Sequence, residues 1–360
     1  MKKVFLYAYD KVNLGDDLFI ETIVNRYPQV QFYLWSDKGN RQVFRDLSNL
    51  IIIDKESKMI SLIKKIRLSL VLRYKNYLQK KCDAVVYIGG SIFMEFPTWK
   101  NIVNWWKYQS ENYPFYVLGA NFGPYQTEEY RENMGKVFEK LKDVCFRDTY
   151  SKSLFSNIKT VRQAPDILFS CPVPKVHKIK HQIFFSVIAK HKSDQKEKEN
   201  PDTYIDKMAE IVQGYLKDNY QVVLASFCEE EKDMDVAKAI GKKISEKYQA
   251  KLSYLSYDGI NRNRFLRELA SSEYIIASRF HGVILGSVAG RPVYPVIYSD
   301  KTKHVLEDLQ FQGCYGDVRK LDELSYEESR KNLEQNILLK VEGLDIEAQK
   351  HFEKLDKILL

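Results

Sequence analysis

The sequence alternates between short, almost continuously apolar segments and longer amphipathic stretches, and this alternation occurs twice. Apolar segments of this length predict β-strands buried on both faces, as in a parallel sheet covered by helices. In the first half, the predicted strands are 4–9, 31–35, 50–53, 84–88, 115–118 and 144–146. In the second half, they are 182–189, 221–227, 251–255, 274–277 and 293–297. The pattern therefore predicts an α/β protein with two Rossmann-like, doubly wound sheets.

A segment with neither pattern separates the two alternations. Residues 171–180 contain Pro172, Pro174 and several lysines without apolar periodicity, which is typical of a linker. A chain of 360 residues also exceeds the roughly 300 residues that one hydrophobic core reaches. We therefore predict an N-terminal Rossmann-like domain over 1–170, a C-terminal one over 171–325 and a helical tail over 326–360. Whether this tail packs back on the N-terminal domain is left open.

Composition excludes several classes of protein. The chain is 44% hydrophobic and 29% charged, which is typical of a folded globule and not of a disordered chain. No run approaches the about 18 apolar residues of a membrane-spanning helix. The five cysteines are scattered without a CxxC pair, which favours reduced thiols in the cytoplasm and no zinc site. The net charge of +8 favours anionic partners, but no nucleic-acid-binding motif accompanies it.

Polar and glycine residues follow the predicted strands of the first half, at the sheet edge where such folds bind ligands. The segment 13–17 opens a predicted helix. In one interpretation, one of the two aspartates Asp16 and Asp17 caps this helix. In the other, Asn13 and Asp16 bind hydroxyls of a ligand. Gly89 and Gly90 either form a turn or let a ligand approach main-chain N–H groups. The candidate acceptor-binding residues are Asn13, Gly15, Asp16, Asp17, Gly89, Gly90, Ser91 and Asn121.

A charged pair, Arg147 and Asp148, ends the last predicted strand of the first half. The two side chains either pair with each other, or Asp148 caps the next helix and leaves Arg147 to bind an anion. An arginine recognises carboxylates and phosphates through two parallel hydrogen bonds. Arg147 is therefore a candidate ligand-binding residue.

The most informative segment of the second half is Ser278-Arg279-Phe280-His281, which ends a predicted strand and starts a helix. Arg279 and His281 are two residues apart in what we expect to be an extended segment, so both should face the same side. A histidine can move a proton near neutral pH, and a helix start favours an anion. Tyr298 and Lys301 flank a later helix start, and Lys301 is a second candidate phosphate ligand. The remaining histidines are interpreted as structural.

With these residues in view, the chain resembles the polysaccharide pyruvyl transferase family. The matching pieces are Asn13 to Asp16, Gly89-Gly90, Gly119 to Pro124, Arg147-Asp148 with Ser151, Ala164-Pro165-Asp166, Arg279-Phe280-His281, and Tyr298 with Lys301. One departure is Ser91, where relatives often have a third glycine.

The resemblance implies a fold, a reaction and a set of roles. The fold would be GT-B-like, with two Rossmann-like domains facing a central cleft. Phosphoenolpyruvate would be the donor, a saccharide that is often lipid-linked would be the acceptor, and the product would be a cyclic pyruvate ketal made during cell-surface polysaccharide synthesis. Arg147 and Arg279 would hold the donor, and His281 would act as the acid; no cofactor or metal is needed. The donor-binding set is Arg147, Ser278, Arg279, Phe280, His281, Tyr298 and Lys301.

The segment 61–81 is basic and amphipathic, with Lys64, Lys65, Arg67, Arg73, Lys75, Lys80 and Lys81 among its leucines and isoleucines and no acidic residue. It is either a helix on the surface of an anionic membrane or a helix packed on the sheet with a solvated basic face. The first alternative predicts a cytoplasmic protein at the inner face of the membrane. The very polar segment 191–201 is predicted to be a mobile loop.

Two other functions compete with the pyruvyl transferase. One is a GT-B glycosyltransferase that uses a nucleotide-sugar, although such enzymes often place a glutamate where this chain has Arg279 and His281. The other is a non-catalytic glycan-binding scaffold of the same fold.

Overall fold

The computed structural model describes residues 1–9, 11–36, 40–55, 57–58, 60–62, 68–189 and 201–360. The chain folds into two compact units. The N-terminal unit comprises Met1–Lys11, Asp16–Ser170 and Gly343–Leu360. The C-terminal unit comprises Val12–Gly15 and Cys171–Glu342.

The N-terminal unit contains a seven-stranded parallel sheet with the order β3-β2-β1-β4-β5-β6-β7. Its strands are β1 (Lys3–Tyr7), β2 (Gln31–Ser36), β3 (Leu50–Asp54), β4 (Ala84–Ile88), β5 (Phe115–Ala120), β6 (Asp143–Phe146) and β7 (Val161–Gln163). Its helices up to Ser170 are α1 (Leu14–Arg26), α2 (Asn40–Val43), α3 (Leu68–Lys80), α4 (Trp99–Asn112), α5 (Glu128–Phe138) and α6 (Thr149–Ser153). The first two residues of α1, Leu14 and Gly15, belong to the C-terminal unit. The central strands are buried on both faces, as their continuous apolar sequence requires.

The C-terminal unit contains a six-stranded parallel sheet with the order β10-β9-β8-β11-β12-β13. Its strands are β8 (Ile179–Ser186), β9 (Gln221–Ser226), β10 (Leu252–Ser256), β11 (Ser272–Ala277), β12 (Val293–Ile297) and β13 (Gly316–Asp317). Its helices are α7 (Pro201–Lys217), α8 (Asp233–Lys242), α9 (Arg262–Ser271), α10 (Phe280–Val288), α11 (Asp300–Asp308) and α12 (Tyr326–Glu334). A core of aliphatic and tyrosine side chains fills the space between this sheet and its helices.

The chain from residue 326 onward is divided between the two units. Helix α12 belongs to the C-terminal unit, whereas α13 (Leu344–Ala348) and α14 (Glu353–Leu359) belong to the N-terminal unit. Gly343 separates them and has a φ of +77°, a conformation that glycine adopts without strain. Arg26 of α1 holds the final segment through hydrogen bonds of 2.9 and 2.7 Å to Asp356.

Two predictions fall partly outside the described residues. Residues 63–67 of the predicted basic helix and residues 191–200 of the predicted polar loop are not described. Within the described ranges, no helix is long and apolar enough to cross a bilayer.

Candidate functional site

Each sheet has one position where its strand order reverses. In the N-terminal unit this position lies between β1 and β4, and in the C-terminal unit between β8 and β11. The loops after these strands diverge to opposite sides, which leaves a crevice at the carboxyl edge where doubly wound folds bind ligands. Most of the candidate residues follow strands at these edges.

Arg147 is the centre of a buried polar cluster in the N-terminal unit. Its Nη1 lies 3.1 Å from Oδ2 of Asp166, and its Nη2 donates to Oδ1 of Asn121 at 2.7 Å. Arg147 and Asp166 are 3% and 0% exposed, so the charge of one must be balanced by the other. Burial raises the pKa of the Asp166 carboxyl, although the charge of Arg147 opposes that shift. Asp148 accepts a hydrogen bond from the Ser151 N–H and caps α6, so it is not the partner of Arg147.

The glycines after β4 pack directly against this cluster. A Cβ atom on Gly90 would lie 2.7 Å from Nη1 of Arg147, so only glycine leaves room for the guanidinium. The carbonyl oxygen of Gly90 accepts the N–H of Asn121 at 2.9 Å, and Ser91 Oγ lies 3.3 Å from Asn121 Oδ1. The structure therefore brings together Gly90, Ser91, Asn121 and Arg147.

Asp16 lies beside the same glycine turn. A Cβ atom on Gly89 would be 4.0 Å from Oδ1 of Asp16. Asp16 is half-buried, whereas Asp17 is 0% exposed and faces the protein interior. Of the two carboxylates, Asp16 is the one that a ligand at this sheet edge can reach.

The start of α1 differs from the predicted arrangement. We expected Asp16 or Asp17 to cap this helix, but the helix begins at Leu14 and both lie in its first turn. Asn13 instead accepts the N–H of Gly15 through Oδ1 at 3.1 Å. The reason is geometric, since an acceptor placed just before the first helical residue reaches the exposed N–H groups. The side chain of Asn13 therefore orders this turn.

A histidine from the C-terminal segment supports two loops of the N-terminal site. The Gly119 N–H donates to Nδ1 of His351 at 3.3 Å, so Nε2 carries the proton and donates to the Pro165 carbonyl at 2.9 Å. Gly119 precedes Asn121 by two residues, and Pro165 directly precedes Asp166. His351 is fully buried, and this burial, with Arg162 and Arg147 nearby, lowers its pKa to about 3. The neutral ring thus ties together the loops that hold both partners of Arg147.

In the C-terminal unit, Arg279 is held by two carboxylates. Its Nε donates to Oδ2 of Asp233 at 2.8 Å, its Nη2 also bonds Asp233, and its Nη1 pairs with Glu231. Asp233 is 0% exposed and also accepts the Ala189 N–H at 3.1 Å, whereas Glu231 is half-buried. Burial alone would lower the pKa of Arg279, but the charges of Asp233 and Glu231 raise it above its usual range.

His281 occupies the second position of α10, two residues after Arg279, which is the N-cap. The expectation that Arg279 and His281 share an extended segment is therefore wrong, because the helix has already begun at Phe280. His281 is half-buried, and its ring lies 5.2 Å from that of Phe280. A Cβ atom on Gly15 would overlap the imidazole, so the chain at Val12–Gly15 needs glycine beside this ring. His281 is half-buried at a helix N-terminus, and its Nε2 atom is buried.

The other predicted donor-binding residues lie around these two side chains. Ser278 Oγ hydrogen-bonds the Tyr204 hydroxyl at 2.8 Å, and Phe280 is 4% exposed. The Tyr298 hydroxyl contributes to the raised pKa of the Arg279 guanidinium, so the two side chains are neighbours. Lys301 Nζ lies 4.8 Å from the centroid of the Tyr298 ring. Ser278, Arg279, His281, Tyr298 and Lys301 thus form one neighbourhood.

Several residues of these clusters were not among the predicted site residues. They are Asp166 and His351 in the N-terminal unit, and Ser186, Tyr204, Glu231 and Asp233 in the C-terminal unit. Asp166 lies in one of the pieces that resemble the family, without a predicted role. Glu231 and Asp233 belong to a run of acidic residues that is typical of a solvated helix start. Within the part of the chain that the structure describes, no three or more His, Cys, Asp or Glu side chains are grouped so that they could hold a metal ion.

Comparison with known proteins adds a family and a fold. The model of the family "polysaccharide pyruvyl transferase" matches residues 13–300. The amylovoran biosynthesis protein AmsJ of Erwinia amylovora is 22% identical over 264 residues, which are 67% of this chain and 63% of that protein. The chain thus spans less than two thirds of the length of this relative.

Solved structures with low sequence identity share the fold. A UDP-GlcNAc 2-epimerase from Neisseria meningitidis, bound to UDP-GlcNAc, superposes with a TM-score of 0.61 at 11% identity, over 99% of this chain and 100% of that one. Anabaena Alr3699/HepE in complex with UDP gives a TM-score of 0.57 at 10% identity, over 99% and 97%. The GT-B-like α/β class with two parallel sheets, expected from the sequence, is confirmed.

Proposed function

Because the chain belongs to the polysaccharide pyruvyl transferase family, we propose that it transfers the enolpyruvyl unit of phosphoenolpyruvate to two hydroxyls of a saccharide. The observation that carries this proposal is the half-buried His281 at the start of α10, two residues after Arg279, at the strand-order reversal of the C-terminal unit. A proton donor next to an arginine is what protonation of an anionic enol ester requires.

The reaction balances without an added oxidant or metal. The His281 imidazolium protonates the methylene carbon of phosphoenolpyruvate, which creates an oxocarbenium-like centre at the adjacent carbon. One saccharide hydroxyl attacks that carbon, phosphate leaves, and the second hydroxyl closes the ring, so each hydroxyl loses one proton. The products are a cyclic ketal with a free carboxylate and inorganic phosphate. Asp16 is the carboxylate we assign to orienting the saccharide hydroxyls, with Gly89, Gly90, Ser91 and Asn121 around it.

The donor needs a place for its carboxylate, and Arg279 suggests one. The Nε and Nη2 edge of Arg279 is occupied by the fully buried Asp233, which a ligand cannot displace without leaving a buried charge unpaired. The Nη1 edge faces Glu231, which is half-buried. We assign the position of the Glu231 carboxylate to the carboxylate of phosphoenolpyruvate. Lys301, which lies beside Tyr298, then neutralises part of the negative charge of the donor's phosphate group.

This assignment predicts that Glu231→Gln strengthens donor binding. The substitution removes the negative charge of a carboxylate that competes for Nη1. We expect the KM for phosphoenolpyruvate to fall by about two- to fivefold, measured as phosphate release at saturating acceptor. The matched control is Glu229→Gln, an exposed glutamate of the same loop. A KM that stays the same or rises in Glu231→Gln contradicts the assignment.

The reaction itself is tested with the wild-type protein, phosphoenolpyruvate and a panel of lipid-linked and synthetic glycosides. We expect acceptor-dependent phosphate release and a product heavier by the pyruvate ketal. Release of nucleotide from a UDP-sugar panel, without reaction of phosphoenolpyruvate, would support a glycosyltransferase instead. Glycoside binding without any turnover would support a scaffold.

We also propose that the outer face of α3 lies on an anionic membrane surface, which suits a lipid-linked acceptor. Three large side chains project from this face: Leu70, Tyr74 and Tyr77 are 41%, 42% and 57% exposed. Arg73 and Lys80 are exposed on the same helix, and acidic residues are absent from it. Basic residues beside exposed leucine and tyrosine complement an anionic interface between lipid headgroups and acyl chains.

Vesicle flotation tests this surface. We expect the protein to float with phosphatidylglycerol vesicles at low salt, to be released at high salt, and not to float with phosphatidylcholine. Leu70→Ser with Tyr77→Ser should abolish flotation, whereas Ile260→Ser with Tyr315→Ser, which changes exposed residues of the other unit, should not. Protein that stays in the soluble fraction at low salt refutes the proposal.

A further inference from the structure

The first turn of α11 carries two buried hydroxyl groups. Ser299 is the N-cap of this nine-residue helix, and Thr302 is its third residue and 3% exposed. Within the described part of the chain, Ser299 Oγ and Thr302 Oγ1 are both buried and have no hydrogen-bond partner. A buried hydroxyl without a partner has lost its hydrogen bonds to water and gained none in return. Two of them in one helical turn point to a ligand with hydrogen-bonding atoms.

Ser299 differs from a serine that caps a helix. Such a serine accepts an N–H group of the first turn through its Oγ. Ser325 does so at the start of α12, where its Oγ accepts the Glu328 N–H at 3.1 Å. Ser299 has the extended backbone of an N-cap, with φ −154° and ψ 160°, but its side chain makes no such bond. The N–H groups of the first turn of α11 are therefore left to acceptors other than the Ser299 hydroxyl.

Both hydroxyls belong to the inner face of α11. Ser299, Thr302, Val305 and Leu306 are three or four residues apart, so they lie on one face, and Val305 and Leu306 are buried. Side chains of a helix lean toward its N-terminus, which directs Thr302 toward the first turn. The N–H groups and the dipole of a helix favour an anion at this end. The ligand that fits the two hydroxyls is therefore an anion with several acceptor oxygens.

The start of α11 lies at the sheet edge that carries Arg279. Strands β11 and β12 are parallel and paired in register up to Ala277 and Pro295. The chain leaves both strands at the carboxyl edge, where Arg279 comes two residues after Ala277 and Ser299 four residues after Pro295. An anion at α11 and an anion at Arg279 thus occupy the same edge. This arrangement suits a ligand with two anionic groups.

The charges around the first turn of α11 permit an anion there. Asp300 is exposed, and its Oδ1 lies 2.8 Å from Nη1 of Arg319, which balances the charge of this carboxylate. Lys301 follows Asp300 and contributes a positive charge to the same turn, with its Nζ 4.8 Å from the centroid of the Tyr298 ring.

We propose that Ser299 and Thr302 donate hydrogen bonds to the phosphate group of phosphoenolpyruvate at the start of α11. This inference rests on the proposed function for the identity of the donor, and it adds two hydroxyl ligands to the charge of Lys301. Hydrogen bonds from a hydroxyl to an anionic oxygen are short and stronger than those between neutral groups. The same groups hold the inorganic phosphate that leaves on transfer, so phosphate by itself is a probe of the site.

Calorimetry measures this binding without turnover. The probes are inorganic phosphate, phosphoenolpyruvate, pyruvate and glucose 1-phosphate, each at up to about 50 mM, well above a millimolar Kd. The variants are Ser299→Ala and Thr302→Val, and valine keeps the shape of threonine at this buried position. The matched control is Ser325→Ala, which changes another N-cap serine of the same unit.

We expect Ser299→Ala and Thr302→Val each to weaken the binding of inorganic phosphate and of phosphoenolpyruvate by about 10- to 100-fold. Pyruvate lacks the phosphate, so its affinity should not change, and Ser325→Ala should bind all probes like the wild type. Unchanged phosphate affinity in both variants overturns the proposal, as does a wild type that does not bind phosphate. A parallel loss of pyruvate affinity also overturns it, because disturbed packing would then be the cause. A loss confined to glucose 1-phosphate overturns the assignment to the donor.

Thermal unfolding provides a readout that separates binding from capping. Without phosphate, Ser299→Ala and Thr302→Val should keep the Tm of the wild type, because neither hydroxyl bonds another group of the protein. Ser325→Ala loses a cap and should lower the Tm by about 2–4 °C. An equal fall in Ser299→Ala would show that Ser299 caps α11 and would overturn its role as a ligand. Failure of pyruvyl transfer, with phosphate binding that depends on both hydroxyls, would refute the proposed function alone.

Discussion

Replacing His281 by alanine is expected to reduce turnover by about 10²- to 10⁴-fold while leaving the affinity for phosphoenolpyruvate largely intact. The imidazole supplies the proton, whereas the charges that hold the donor belong to arginine and lysine side chains. The variant should fold, because His281 is half-buried and packs on Gly15 and Phe280 without filling a core position. Phosphate release gives turnover, and calorimetry with phosphoenolpyruvate gives donor affinity.

The control for this prediction is His304→Ala, which removes another half-buried helical histidine of the same unit. We expect its turnover to stay close to that of the wild type. The pH–rate profile adds a second readout, since removing the acid should abolish the decline in rate as imidazolium is lost at high pH. Near-normal turnover of His281→Ala would remove this residue from the mechanism.

The second large effect concerns stability in acid and arises from His351. Its pKa is lowered to about 3 in the folded protein, below the value of about 6.5 for an exposed histidine. Between these two pH values the unfolded state binds more protons, so the stabilising contribution is complete above pH 6.5 and is lost as the pH falls toward 3. The upper limit of this loss is about 5 kcal/mol, since one pKa unit corresponds to about 1.4 kcal/mol.

Urea unfolding of the wild type and of His351→Gln between pH 7 and pH 4 measures this effect. At pH 7 the variant should be less stable by about 1–3 kcal/mol, because the Gly119 N–H or the Pro165 carbonyl loses its partner. Toward pH 4 the difference should shrink, since glutamine does not titrate. His177→Ala, at an exposed position, should keep the slope of the wild type. An identical slope in His351→Gln would show that His351 does not cause the acid sensitivity.

The strands were the most predictable part of the fold. The segments 84–88 and 293–297 were predicted with the bounds they have in β4 and β12, because both are fully apolar and end at glycine or polar residues. The short strands β7 and β13 were missed, since three and two residues carry no periodicity. Helix α1 begins at Leu14, within the segment 13–17 that is predicted to open a helix.

For the candidate site, the local sequence pattern indicates which residues take part but not what each of them does. Gly90, Asn121, Arg147 and His281 could be selected because parallel strands bring their carboxyl ends to one edge of each sheet. Their roles required the structure, since Gly90 makes room for the Arg147 guanidinium. The chemical identities of the donor and the acceptor are expected from the resemblance to the family. No local pattern in the chain indicates them.

The amino-acid sequence by itself determined the class of fold, the order of the chemistry-bearing loops and the family, because apolar periodicity and motif spacing are local properties. Only the tertiary structure decided which charges neutralise one another and which buried polar groups share a hydrogen bond. Asp166 and Arg147 are 19 residues apart, Asp233 and Arg279 are 46, and His351 and Gly119 are 232. A buried charge must find a partner wherever the chain brings one within a few ångströms, and separation along the sequence does not constrain that choice.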